Sequence, residues 1–118
     1  MSIILTTQTP SPGGAQYETT LQILSGDTTT VDAIAFSVTA AAKWFLTATV
    51  DDKIRFLEVS GVCHISKTPI QTIFGDVGDR IAVKPILSQT PTGLTLSIIN
   101  NEAQTVSISV ARMHATTV

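Results

Sequence analysis

From position 17 onward, apolar residues recur at every second position in short runs, separated by turn-forming residues at a spacing of about 8 to 12. A period of two is the pattern of a pleated strand with one face turned inward, whereas an amphipathic helix repeats near 3.6. Strands are predicted over 17–24, 31–38, 43–50, 53–60, 69–74, 80–87, 93–99 and 105–112. Turns are predicted at Ser25-Gly26-Asp27, Asp51-Asp52, Gly75 to Gly78, Thr90 to Gly93 and Asn100-Asn101-Glu102, each carrying Gly, Pro, Asn or Asp for tight backbone conformations. Val38 to Trp44 is the one helical competitor, through the alanines at 40–42. It lacks an acidic first turn and is flanked by β-branched residues, so it reads as strand.

The register of the hairpin around Asp51-Asp52 follows from a two-residue turn. Val50 then faces Lys53, Ala48 faces Arg55, Leu46 faces Leu57 and Trp44 faces Val59. Opposed residues share a side, so Trp44, Leu46, Leu57 and Val59 form a core face. Phe45, Thr47, Thr49, Ile54, Phe56 and Glu58 fall on the other side, where three large apolar residues need a cover. Either the N-terminal arm or another chain would supply it. Farther on, Leu94, Leu96 and Ile98 alternate with Thr95, Ser97 and Ile99, and Val106, Ile108 and Val110 alternate with Ser107 and Ser109. These runs are expected to make a second hairpin through Asn100 to Ala103, with uncharged hydroxyl rows, a composition suited to burial at interfaces.

Thr9-Pro10-Ser11-Pro12-Gly13-Gly14 interrupts the chain, since two prolines remove backbone donors and two glycines favour turns. Residues 1–14 are therefore expected to be an extended arm and hinge, and 15–118 the folded domain. The apolar Ile3, Ile4 and Leu5 of the arm either pair with a strand edge, its own or a neighbour's, or form a simple first strand of the same sheet. The expected fold is all-β: an antiparallel β-sandwich, jelly-roll-like, of about eight strands with that arm.

Composition sharpens this picture. The 118 residues suffice for one domain, and Thr, Ile and Val supply 42 of them, which favours a pleated surface. With 43% hydrophobic and 14% charged residues, the chain is outside the disordered class. Seven Lys and Arg, spread singly at a net charge of -2, make no basic stripe for phosphates, so no nucleic-acid partner is expected. The apolar runs at 33–36 and 40–46 are broken by Ser37, Thr39 and Lys43, well short of a spanning helix, so no membrane partner is expected. Met1 to Gln8 has no cationic start, and Thr6, Thr7 and Gln8 cut off Ile3-Ile4-Leu5, so a protein made and used without export is expected. A single cysteine, Cys63, fits a reducing compartment.

Candidate chemistry is sparse. Cys63 and His64 are adjacent in a strand and point to opposite faces, so they grip neither a common metal ion nor each other as nucleophile and base. A buried small thiol at Cys63 and a strand-edge or exposed imidazole at His64 are expected instead. Asp76 and Asp79 in Gly75-Asp76-Val77-Gly78-Asp79 lack the further ligands of a calcium loop and read as a β-turn with carboxylates capping amides, as do Asp51-Asp52. Gly13-Gly14 lacks the lysine and helix of a phosphate loop. Arg55 and Glu58, three apart in one strand, face opposite ways. The chain is therefore expected to be no enzyme, with no catalytic residue, metal or cofactor.

Ala42-Lys43-Trp44-Phe45-Leu46-Thr47-Ala48-Thr49-Val50 followed by Ile54-Arg55-Phe56-Leu57-Glu58-Val59 resembles a module of tailed-bacteriophage virion proteins, with an aromatic strand, an acidic turn and a Phe-x-Glu-Val-like strand. Gly75 to Ile81, Leu94 to Asn101 and Val106 to Arg112 are similar to its later portion, and Val31 to Phe36 to an upstream part. The chain departs from it at Val62 to Thr68, where related modules often carry a polar, glycine-bearing loop. The resemblance implies a non-enzymatic virion component, made in the host cytoplasm, with the major capsid protein or other virion proteins as partners. Three placements follow: a capsid decoration or cement protein, a tail, baseplate or fibre component, and, outside that class, a small carbohydrate-binding domain. A single Trp and a single Tyr argue against the last. A homo-oligomer of two or three copies would cover the second face. The expected partner interface comprises Ile3, Ile4, Leu5, Phe45, Ile54 and Phe56.

Overall fold

The computed structural model describes residues 3–5 and 17–117. Among them are nine strands: β1 (Ile3–Leu5), β2 (Tyr17–Ile23), β3 (Thr28–Ala35), β4 (Thr39–Val50), β5 (Lys53–His64), β6 (Ile70–Gly78), β7 (Val83–Thr90), β8 (Gly93–Asn100) and β9 (Val106–Thr117). All pairings are antiparallel, and the described residues contain no helix. The larger sheet has six strands in the order β1-β9-β4-β5-β6, with β2 also on β9, and the smaller has three in the order β3-β8-β7. The all-β sandwich expected from the two-residue period is the fold observed, with unequal layers.

The long strands follow from mutual pairing rather than local propensity. β4 lies between β5 and β9 over nearly its whole length, with Thr39 opposite both His64 and Thr117. This support carries β4 back through Ala40-Ala41-Ala42, β5 on through Gly61 and β9 on past Arg112, beyond the predicted ends. The hairpin register is as expected: Trp44 opposes Val59, Leu46 opposes Leu57, and all four are buried. Asp51 at the turn adopts φ 54°, a left-handed conformation that aspartate tolerates, and Gln104 donates to its carboxylate at 3.1 Å.

The core lies between the layers. Trp44, Leu46, Leu57, Val59, Ile108 and Val110 of the larger sheet meet Val31, Ile34, Leu87, Leu94, Leu96 and Ile98 of the smaller in one cluster. Each such side chain contributes about 1.5 to 3 kcal/mol on leaving water. The hairpin expected between the last two strands does not form: β8 pairs with β3 and β7 in the smaller sheet and β9 with β1, β2 and β4 in the larger, so the chain crosses between layers after Asn100. The interleaved hydroxyls of these two strands line the outer faces, with Thr30 and Ser97 sharing a hydrogen bond at 3.2 Å and Thr20 and Ser109 at 3.1 Å.

Three expectations about boundaries are corrected. Gly75 to Gly78 is not a turn but the second half of β6. The register runs from Val59↔Ile73 to Glu58↔Gly75, leaving Phe74 as an extra residue, and this bulge lets β6 bend and continue. Gly78, at φ 115°, approaches the Ile54 carbonyl so closely that a Cβ would strike it. The strand predicted at 80–87 begins at Val83. Its predicted start is held otherwise, as buried Ile81 presents its carbonyl to Arg55 Nη1 at 2.7 Å. The strand predicted at 31–38 starts at Thr28 and carries a bulge between Thr30 and Asp32, which turns Val31 and Asp32 both inward.

Candidate functional site

β1 lies on the edge of β9, pairing Ile3 with Thr117, Ile4 with Thr116 and Leu5 with Ala115. β2 continues along the same edge from Tyr17↔Arg112 to Ile23↔Val106. The backbone of Ile3, Ile4 and Leu5 is thus an added strand of the same sheet, and it does not lie across the face that bears Phe45, Ile54 and Phe56. The hinge expected at Thr9 to Gly14 lies outside the described residues.

Those three residues do share the outer face of the larger sheet. Phe45 and Phe56 stack with centroids 6.2 Å apart and planes inclined by 22°. Ile54, two residues before Phe56 on the same side, is 53% exposed. The register extends this face. Val62 opposes Ala41 and Ile70 opposes Val62; Val77 opposes Phe56; Met113 opposes Lys43. Phe74, thrown out by the bulge, lines an open groove of about 680 Å³ with Met113, Ala41, Val62 and Ile70. Six of the eight large apolar residues exposed among the described residues lie on this one face: Ile54, Val62, Ile70, Phe74, Val77 and Met113. An ion pair between Lys43 and Glu58 at 3.0 Å is set within it.

Sequence reasoning reached Phe45, Ile54 and Phe56 and missed the other half of the face. Val62 lay past the predicted strand end, and continuing the hairpin register two residues further would have placed it opposite Ala41. Phe74 and Val77 fell at a strand end and in a predicted turn. No alternation in the sequence signals the bulge that exposes Phe74.

Behind the face, a polar cluster joins both layers. Asp32 accepts the Trp44 indole N–H at 2.7 Å through Oδ2 and Arg112 Nη1 at 2.7 Å through Oδ1, and Arg112 also donates to the Ala33 carbonyl at 3.3 Å. Asp32, Arg112 and the neighbouring His114 are all buried. Burial first, and then the positive charge of Arg112, hold the His114 imidazole below its ordinary pKa, while Asp32 acts weakly the other way. A salt bridge removed from water is costly to form and very costly to break on one side. The arrangement ties β3, β4 and β9 together, and its His114 also lines the groove beside Met113.

The acidic pairs do not converge. Asp76 takes Arg55 in a two-pronged bridge at 2.9 and 2.7 Å, which holds its carboxyl below the usual carboxylate range. Asp79 accepts the Ile54 amide at 2.9 Å, the amide-capping role expected for this segment. Glu58 pairs with Lys43 on the opposite side from Arg55. Cys63 is a buried thiol, pushed up in pKa by that burial, and His64 is exposed with Nδ1 2.8 Å from the Ser66 hydroxyl. Among the described residues, no three His, Cys, Asp or Glu side chains are grouped so as to hold a metal ion.

No protein-family model and no curated protein matches the chain. Among solved structures it is similar to the tailspike protein of the Acinetobacter phage vB_ApiP_P1, at 10% identity and a TM-score of 0.44. The match covers 80% of this chain and 21% of that one, so the chain spans about a fifth of the tailspike's length.

Proposed function

We propose that the chain is a non-enzymatic structural protein of a tailed-bacteriophage particle, acting as a capsid decoration or cement protein that binds and stabilises joints between capsid subunits. The observation that carries this reading is the outer face of the larger sheet, where large apolar side chains stand in water around one neutralised ion pair. A patch of that kind on a small domain marks a surface that meets another protein. The module likeness over Trp44 to Arg112 supplies the class of partner, other virion proteins and foremost the major capsid protein. Because β1 is already paired to β9 of its own chain, the sheet face rather than a donated strand is the surface through which the protein assembles.

The test is quantitative mass spectrometry of gradient-purified particles, giving copies of this chain relative to the major capsid protein. A ratio near one per capsid subunit supports the cement role. A few to a few dozen copies per particle moves the protein to the tail, baseplate or fibre. Absence from particles overturns the virion reading.

A further inference from the structure

We infer that the outer face of the larger sheet is a contact between two copies of this chain, packed face to face about a two-fold axis. The inference rests on the reading of that face as an assembly surface and names a second copy as its occupant, so that the dimer meets other virion proteins through the surfaces left outside this contact. At about 200 Å² for a fully exposed large side chain, Ile54, Val62, Ile70, Phe74, Val77 and Met113 at their observed exposures present on the order of 700 Å² of apolar surface. Two such faces bury about 1,400 Å², inside the range of stable protein interfaces, before the half-buried Phe45 and Phe56 are added.

Charge selects a copy of the same chain over a charged partner. Lys43 and Glu58 neutralise one another at 3.0 Å, so the face meets its own image without setting net like charge against like. A two-fold places each patch on its own counterpart, the self-complementarity such contacts require. The pair can also exchange partners across the axis, Lys43 of one copy with Glu58 of the other. The pleated face and its groove suit sheet-on-sheet packing, in which side chains from two faces interdigitate at a separation of about 10 Å. The outer face of the smaller sheet is different: it bears Thr30, Lys84, Thr95 and Ser97 with Ile86 and Ile99 half-buried among them, and none of the large apolar residues exposed among the described residues.

Sedimentation equilibrium of the purified chain at roughly 50 µM, a concentration well above the dissociation constant of a specific contact, tests this. The expected mass is twice 12.5 kDa. Phe74→Lys, at a side chain 71% exposed in the single chain, should fold with an unchanged circular dichroism spectrum and weaken the dimer by roughly 30-fold or more. Thr95→Lys on the smaller sheet should leave the dimer intact. A wild-type monomer, a three-copy mass, or a dimer indifferent to Phe74→Lys overturns the inference. A monomer that still co-purifies with particles overturns this contact alone, whereas a dimer absent from particles supports it and removes the virion reading.

Discussion

Trp44, on β4, donates its indole N–H to the carboxylate of Asp32, on β3, across 2.7 Å of the closed interior. The two residues belong to different sheets, so the bond fixes how the layers sit on one another as well as satisfying two buried polar groups. Arg112 on β9 at 2.7 Å and the Ala33 amide at 2.8 Å donate to the carboxylate's other oxygen. Asp32→Ala removes the carboxylate that pairs with the buried guanidinium and accepts the indole N–H, and should cost about 3 to 5 kcal/mol in urea unfolding. Trp44→Phe keeps most of the packing and removes only the donor, for a loss of about 1 to 3 kcal/mol. Trp44→Ala should cost about 3 to 5 kcal/mol and unfold a marginal domain. A Trp44→Ala protein of unchanged urea midpoint would contradict its place in the core.

Stability should fall on mild acidification because of His114. Its folded pKa lies below the ordinary imidazole value of 6.5, so the unfolded chain takes up the proton first as pH falls. The contribution is complete above that value and is lost as pH drops from it towards the folded pKa. His114→Gln should flatten this part of the curve of unfolding midpoint against pH. Asp76 acts in a separate, more acidic window: its pKa is lowered by Arg55, so its contribution is present above the ordinary 3.8 and is lost below it. Being exposed, that pair matters little to the total.

Gly61 on β5 faces inward against Leu87 of the smaller sheet, and a Cβ there would overlap the Leu87 Cδ1 atom. Gly61→Ala should destabilise by about 1 to 3 kcal/mol through overpacking. Combining it with Leu87→Val should recover part of that loss, read as a non-zero coupling in a double-mutant cycle. Additive losses would mean that the two sites do not touch.

Removal of residues 1–5 should uncover the end of β9. Backbone amides of 115–117 that face β1 would then exchange with solvent faster, while those of 106–112, still paired to β2, keep their protection. Native-state hydrogen exchange separates these two segments of one strand. Uniform exchange along β9 would contradict the pairing of β1.

Cys63 should react only as the domain opens. The thiol is 4% exposed, and burial raises its pKa, so thiolate is scarce at neutral pH. Labelling by a disulfide reagent should accelerate in parallel with urea-induced unfolding. Rapid labelling of the native protein would show that β5 frays at this end.

Alternation and turn chemistry by themselves determined the all-β class, most strands and the β4–β5 register, because a two-residue turn leaves one way to pair and a period of two leaves one way to face. The aromatic positions Phe45 and Phe56 were assigned to the outer face by the same counting. Tertiary structure decided what local pattern does not encode. The bulge at Thr30 turned Asp32 inward, where Trp44 and Arg112, 12 and 80 residues away, complete its charge and hydrogen bonds. The bulge at Phe74 made a strand of residues that resemble a turn and put that ring in water. β1 found its place on β9 only because the far end of β9 offered unpaired backbone groups there. In each case the deciding partner is distant along the chain, so its energy is absent from any short window of sequence.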